Sequence, residues 1–155
     1  MSRMIQDVVA LLNRLIQLDY DATEAYKAAL VSVVDPCDTQ DLTSTLTDHR
    51  RHIDELAIVV RNLGGEPTAH GDLRRPAFGG KAMLGGLTSQ RAILEAMRRM
   101  EEDTQAAYAN AASLPGVPVD VLAALERNLT DERAHLLRIA RRLEMMRLPP
   151  IAGAR

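Results

Sequence analysis

Two eight-residue stretches of the 155-residue chain are nearly identical, and they constrain the fold more than any other feature of the sequence. Residues 46–53 read L-T-D-H-R-R-H-I, and residues 129–136 read L-T-D-E-R-A-H-L. Five of the eight positions are identical, at an offset of 83 residues. The similarity extends upstream, since Asp19 and Glu101 lie 82 residues apart and each precedes a Tyr by seven residues. We interpret this pattern as an internal duplication, which predicts that the two halves of the chain fold alike.

Apolar residues recur at spacings of three and four in four segments of the chain, which is typical of amphipathic helices. A Gly-rich stretch of about 24 residues, 64–87, separates the second segment from the third. The pattern therefore predicts an all-α four-helix bundle with one long crossover between helices two and three. We expect one domain over residues 1–148 and a loose tail over 149–155. The four predicted helices span about residues 4–34, 39–63, 88–113 and 120–146.

The helix boundaries are predicted from capping residues and from proline. Asp35 precedes Pro36, and the residue before a proline avoids the α region, so the first helix should end there. Asp38 and Asp120 are expected to be the N-caps of the second and fourth helices. The third helix should begin at Thr88 or Ser89, and a short helical piece near Lys81–Leu84 is compatible with the crossover sequence.

Composition excludes several classes of function. The net charge is −2, without a clustered basic face, which argues against nucleic-acid binding. The single cysteine, Cys37, excludes an intrachain disulfide. No run of 18 apolar residues is present, so we expect no membrane span, and we predict a cytoplasmic protein.

Polar residues interrupt the apolar stripes at about mid-height of every predicted helix. Such groups need partners, because a buried charge without a partner is costly. A divalent metal ion would satisfy them together. Glu132 and His135 are three residues apart and therefore project from one face of their helix. The candidate metal ligands are Asp19, His49, His52, Glu101, Glu132 and His135.

With an acid on helices one and three and a Glu-x-x-His on helix four, the chain resembles the ferritin-like superfamily, which includes ferritins and rubrerythrins. It is most similar to small bacterial ferritin-like proteins with a G-G-x-P segment after helix two, here residues 64–67. The resemblance implies a dinuclear iron site in which Asp19 and Glu101 are ligands from helices one and three. It further implies that Glu132 bridges two ions, and that His52 and His135 are the terminal histidines.

His49 is the departure from that family pattern, because it stands where a second bridging Glu belongs. Three carboxylates neutralise two iron(II) ions less well than four, and Asp19 is one methylene shorter than Glu. A single ion, or zinc or another divalent metal, therefore remains an alternative to two iron ions. Asp48 and Asp131 each precede a histidine of their own helix by four residues and could orient it. Alternatively, they are solvated and pair with arginines.

Three interpretations of the function stay open at this point, and the third of them is a helical adaptor whose exposed face or crossover binds a partner. The first is a metal-binding protein, with iron reacting with oxygen or peroxide in a ferroxidase-type activity. The second is a degenerate ferritin-like bundle without catalysis, which acts as a stress-related or structural protein. A bundle of this size is also expected to form a homodimer. Bound metal that is lost on chelation or on Glu132→Ala would distinguish the first interpretation from the second.

Overall fold

A computed structural model describes residues 1–71 and 86–147 of the chain. Within these ranges it contains four α-helices and no strand, so the predicted all-α class is confirmed. The expected helical piece at Lys81–Leu84 and the expected tail 149–155 lie outside the described residues. The helices are α1 (Arg3–Ser32), α2 (Pro36–Asn62), α3 (Gln90–Ala112) and α4 (Val119–Met145).

Two of the predicted N-caps are wrong, and both errors concern proline. Helix α2 begins at Pro36 and is capped by Asp35, whose Oδ1 accepts hydrogen bonds from the backbone N–H groups of Cys37 (2.9 Å) and Asp38 (3.2 Å). Proline suits the first helical position because its fixed φ matches the helix and its missing N–H has no partner there anyway. Likewise Pro118 precedes α4, which places Asp120 inside the first turn rather than at the cap.

The directions of the helices explain the crossover. Tyr26 on α1 contacts Glu101 on α3, whereas Tyr108 on α3 contacts Asp19 on α1. A later residue of each helix thus meets an earlier residue of the other, so α1 and α3 run antiparallel. Short loops make α1–α2 and α3–α4 antiparallel hairpins, and α2 and α3 therefore run in the same direction. The chain must return along the bundle, over about 40 Å for a 27-residue helix, before α3 begins.

The described beginning of the crossover already follows this route along α1. Asn13 holds it at two points: its Nδ2 donates to the carbonyl of Glu66 (2.9 Å), and its Oδ1 accepts from the N–H of Thr68 (2.8 Å). Two turns further along α1, Gly71 packs so closely against Asp21 that a Cβ would lie 2.2 Å from Oδ1. The segment therefore travels from the start of α1 toward its end.

Two apolar clusters fill the bundle and leave a polar layer between them. One cluster joins the C-terminal halves of α1 and α4 to the N-terminal halves of α2 and α3, including Tyr26, Leu46 and Met97. The other joins the opposite halves and includes Leu15, Leu56 and Tyr108. The polar layer is thus shielded from water on both sides along the bundle axis, which strengthens any electrostatic interaction within it.

Candidate metal centre

The polar layer brings together every ligand predicted from the sequence. All six side chains are completely buried. They come from all four helices, because each interrupts the apolar stripe of its helix at the same height. The register of α3 is also as predicted, since the side chain of Glu101 is buried while that of Glu102 is half-exposed. The layer consists of Asp19, His49, His52, Glu101, Glu132 and His135.

The acids of α1 and α3 are each held by a tyrosine of the other helix and by His49. The hydroxyl of Tyr108 donates to Asp19 Oδ2 (2.5 Å), and the hydroxyl of Tyr26 donates to Glu101 Oε1. His49 lies between the two acids, with Nδ1 2.8 Å from Asp19 Oδ1 and Nε2 3.1 Å from Glu101 Oε1. Both ring nitrogens of His49 therefore face the interior of the layer.

The other two histidines are oriented differently, with one nitrogen inward and one outward. His52 Nε2 points outward to Asp131 Oδ2 (3.1 Å), and His135 Nε2 points outward to Asp48 Oδ2 (3.0 Å). The predicted orienting acids are thus present, but the predicted pairing within each helix is wrong. Each acid binds the histidine of the opposite helix, because α2 and α4 are antiparallel neighbours at this height.

The predicted alternative, pairing of these acids with arginine, also holds in part. Arg51 Nη2 lies 2.5 Å from Asp131 Oδ2 and 3.4 Å from Asp48 Oδ1. Arg127 instead pairs with Glu55. A single guanidinium therefore lies over the outward side of the layer and contacts the acids that orient both histidines.

The electrostatics of the layer are dominated by proton sharing between acids and imidazoles. Burial alone would raise the pKa of Asp19, but contacts with His49 and His52 lower it below the ordinary value. Burial likewise works against protonated His52, yet the nearby carboxylates of Asp19 and Glu132 raise its pKa to about 10. Burial raises the pKa of Glu132 to about 7. His52 and Glu132 therefore keep their protons to a higher pH than usual, whereas Asp19 releases its proton more readily.

Several buried nitrogen and oxygen atoms of this layer have no hydrogen-bond partner among the described residues. A buried polar group without a partner costs about 1–3 kcal/mol, so such atoms call for an explanation. Apart from Asn128, these unpaired atoms of the layer belong to candidate ligands and face inward. They are His52 Nδ1, His135 Nδ1, Glu101 Oε2 and both carboxylate oxygens of Glu132.

The spacing of the donor atoms fits metal ions. Atoms bound to one ion at 2.0–2.2 Å lie about 3–4 Å from one another. His52 Nδ1 is 3.2 Å from Glu132 Oε1 and 3.6 Å from Asp19 Oδ1. His135 Nδ1 is 3.6 Å from Glu101 Oε2 and 4.0 Å from Glu132 Oε2. The donor set and its geometry therefore fit divalent metal.

Asn128 is a polar residue of this region that the sequence analysis did not identify. It is completely buried, and neither atom of its amide has a hydrogen-bond partner among the described residues. Its position four residues before Glu132 places it on the same face of α4, and this spacing is the sequence signal that identifies it as a residue of the region. A small cavity of about 20 Å³, room for about one water molecule, lies against His135 between α2 and α4.

Comparison with known protein families identifies the family of this chain. Residues 7–113 match the family described as Domain of unknown function (DUF2383), which is more than half of the chain. The chain belongs to the DUF2383 family. Four of the six candidate ligands of this DUF2383 member lie inside the matched residues, and Glu132 and His135 follow them. No curated protein matches the sequence.

Solved structures show the fold of this DUF2383 member to be ferritin-like. A ferritin-like diiron-carboxylate protein from Bacillus anthracis strain Ames is 22% identical, with a TM-score of 0.77 and coverage of 92% of this chain and 99% of that one. Dps from Thermosynechococcus elongatus is 16% identical, with a TM-score of 0.75 and coverage of 98% and 97%. A dodecameric thioferritin, the bacterioferritin-related protein from Bacteroides fragilis, is 18% identical, with a TM-score of 0.61 and coverage of 91% and 90%. The predicted resemblance is confirmed.

None of the helices in the described ranges is both long and apolar enough to cross a membrane.

Proposed function

We propose that this protein binds divalent metal, with iron as the favoured ion, in the polar layer of its bundle and uses it in oxygen or peroxide chemistry. One observation carries the proposal: the inward-facing donor atoms of Glu132, His52 and His135 are buried, unpaired and spaced for coordination. The ferritin-like fold supports iron in particular, since one structural neighbour is described as a diiron-carboxylate protein.

Different residues of the chain have different roles in such a site. Glu132, His52 and His135 offer inward-facing ligand atoms once their protons have left, while Asp19 and Glu101 add negative charge. Asp131 and Asp48 fix the outward nitrogens of the two histidines, which keeps Nδ1 turned inward. The apolar clusters on either side exclude bulk water. Iron(II) bound there would supply electrons, two of which, with two protons, reduce one hydrogen peroxide to two water molecules.

The cavity beside His135 supports a small reactant rather than an organic substrate. Thr45 and Ile139 are among its lining residues, and its volume of about 20 Å³ admits a molecule of the size of water, oxygen or peroxide. Arg138 borders it and donates a hydrogen bond to Thr45 Oγ1 (3.3 Å).

The test is elemental analysis of protein purified without chelator, followed by anaerobic titration with iron(II) and a visible spectrum after exposure to air. We expect one or two metal ions per chain, loss of metal in Glu132→Ala, and a new visible absorption after oxidation. Glu126→Ala, an exposed position on the same helix, is the matched control and should bind metal normally. Protein that takes up no metal under any loading would contradict the proposal.

One observation favours a second candidate function, a bundle that neither retains metal nor catalyses a reaction. His49 already pairs with Asp19 and with Glu101, so part of the layer is satisfied without any ion. This candidate predicts normal folding and no retained metal. The expected second copy of the chain and the expected cytoplasmic location remain predictions, which gel filtration and cell fractionation would check.

A further inference from the structure

His49 is the residue of the layer that the family resemblance does not explain. It occupies the position in the first repeated stretch that Glu132 occupies in the second, 83 residues later. Both residues lie at the centre of the layer, and both have two potential donor atoms facing inward. The inference below rests on the proposed metal binding and concerns what His49 does there.

The donor atoms fall into two groups rather than one. The first group consists of Asp19, His49, His52 and Glu132, and the second of His49, Glu101, Glu132 and His135. Within each group the atoms lie within 4.8 Å of one another, and neither group contains both His52 and His135. One ion therefore does not collect both outer histidines, and the layer offers two positions that share His49 and Glu132.

The shared residues present a different atom to each position. Glu132 Oε1 lies near His52 Nδ1 (3.2 Å), whereas Glu132 Oε2 lies on the side of His135 Nδ1 (4.0 Å). His49 is arranged in the same way: Nδ1 is 2.8 Å from Asp19 Oδ1 and 3.6 Å from Glu132 Oε1, while Nε2 is 3.1 Å from Glu101 Oε1. The imidazole thus presents one nitrogen to each of the two positions.

We propose that His49 bridges two divalent metal ions, with Nδ1 bound to one ion and Nε2 to the other. Each nitrogen of an imidazole has one lone pair once its proton has left, and a metal ion takes the place of a proton when it binds. Glu132 is the second bridge. Asp19 and His52 complete one position, and Glu101 and His135 complete the other.

Charge supports this arrangement over the alternatives. Two divalent ions bring four positive charges, and the carboxylates of Asp19, Glu101 and Glu132 bring three negative ones. Among these inward-facing groups, a His49 that keeps both protons would leave a net charge of +2 in the buried layer, and a neutral His49 would leave +1. The count does not include Asp48, Asp131 and Arg51, which lie on the outward side. A bridging imidazolate leaves none, which avoids the cost of a buried net charge. His49 then supplies the negative charge that a fourth carboxylate would have supplied.

The experiment measures the number and affinity of bound zinc ions by competition with a coloured chelator, in wild type and three variants. We expect two ions per chain in wild type. His52→Gln and His135→Gln should each reduce the number to one, because each removes a ligand of one position. His49→Gln should weaken both binding steps at least about tenfold, because it removes a ligand of both. His70→Gln, an exposed histidine of the crossover, is the control and should change neither step.

A spectroscopic readout tests the bridge directly. Copper(II) loaded to two ions per chain should lose most of its low-temperature electron paramagnetic resonance signal in wild type, since bridging ligands couple the two spins, and should regain part of it in His49→Gln loaded in the same way. The same signal should be present at full strength in His52→Gln, which holds one ion. Circular dichroism checks that His49→Gln folds, and His49→Glu, which restores a carboxylate bridge, should bind two ions if the Gln variant does not fold.

The outcomes separate this inference from the proposed function. One ion per chain, two uncoupled copper ions, or a His49→Gln variant that weakens one step or neither would overturn the bridge and leave metal binding in place. No metal in wild type would overturn both.

Discussion

At the scale of single residues, the two buried tyrosines fix the acids on which the layer depends. Replacing Tyr26 by Phe removes the hydroxyl that donates to Glu101 while keeping the ring. Since a hydrogen bond to a charged group contributes about 1.5–3 kcal/mol, we expect a loss of that order in the free energy of unfolding of the metal-free protein. Urea denaturation measures it. Tyr20→Phe, at a half-buried position, should change it by no more than about 0.5 kcal/mol, and equal effects in both variants would contradict the assignment.

Asp131 acts on a metal only through His52, so its replacement tests orientation rather than ligation. Asp131→Asn weakens the acceptor for His52 Nε2 and also removes one of the charged partners of Arg51. We expect metal affinity to fall by about 10–100-fold while the protein still folds. Competition with a chelator measures the affinity. Glu55→Gln is the matched control, because Glu55 also contacts Arg51 but touches no candidate ligand. An equal loss of metal affinity in that variant would contradict a specific role of Asp131 in orienting His52.

The contacts of Asp131 also show what the sequence could and could not predict. Burial of all six candidate ligands followed from the spacing of the stripes, because a residue in phase with Leu15 and Ala22 must face the core. The partner of Asp131 did not follow, since spacing within a helix reveals only neighbours on that helix. Which histidine an acid reaches across the bundle depends on how α2 and α4 pack, and no local pattern specifies that.

At the scale of elements, the start of α2 depends on Asp35. It caps the helix through Cys37 and Asp38, and its Oδ2 lies 3.2 Å from Arg142 Nη2 at the end of α4. Asp35→Ala should reduce the free energy of unfolding by about 0.5–2 kcal/mol. Asp35→Asn keeps a capping oxygen and should lose clearly less. Thermal and urea unfolding of both variants give the comparison, and an Asn variant as unstable as the Ala variant would mean that the ion pair dominates.

The turn after α2 depends on a close approach to α1. A Cβ on Gly65 would lie 2.6 Å from Cγ1 of Val9, and valine cannot easily move away because its χ1 is restricted. We expect Gly65→Ala to lower the free energy of unfolding by about 1–3 kcal/mol. Adding Val9→Ala should restore part of it, so a double-mutant cycle should show a favourable coupling. Strictly additive effects would exclude the clash as the cause.

At the scale of the whole molecule, the two halves of the chain interact reciprocally. Tyr26 reaches the acid of the second half and Tyr108 reaches the acid of the first, and the acids that orient His52 and His135 cross between halves in the same way. An internal duplication, which the sequence predicts, would account for these paired contacts in an antiparallel bundle. They also make the layer depend on both halves at once, so neither hairpin alone can complete it.

The same layer sets how stability depends on pH when no metal is bound. Burial opposes the charge on His52, but the nearby carboxylates of Asp19 and Glu132 raise its pKa from 6.5 to about 10, so its stabilising effect is full below about pH 6.5 and is lost as pH rises through 10. Burial raises the pKa of Glu132 from 4.5 to about 7. Ionisation of Glu132 therefore lowers the free energy of unfolding as the pH rises from 4.5 to 7. Despite burial, contacts with His49 and His52 lower the pKa of Asp19, and contacts with His135 and His49 lower that of Glu101, so the stabilising effects of both acids are lost on acidification.

The metal-free protein should therefore be most stable near pH 4.5, and should lose stability as the pH rises from there toward 10. Metal should reverse this trend, because an ion binds only ligands that have released their protons, and the stabilisation it provides grows with pH. Urea unfolding from about pH 5 to 9.5, with and without zinc, measures both curves. Stability of the metal-free protein that rises from about pH 6 to 9 would contradict the proton sharing described for the layer. A zinc effect that is constant over the same range would show that zinc binds elsewhere than at these imidazoles.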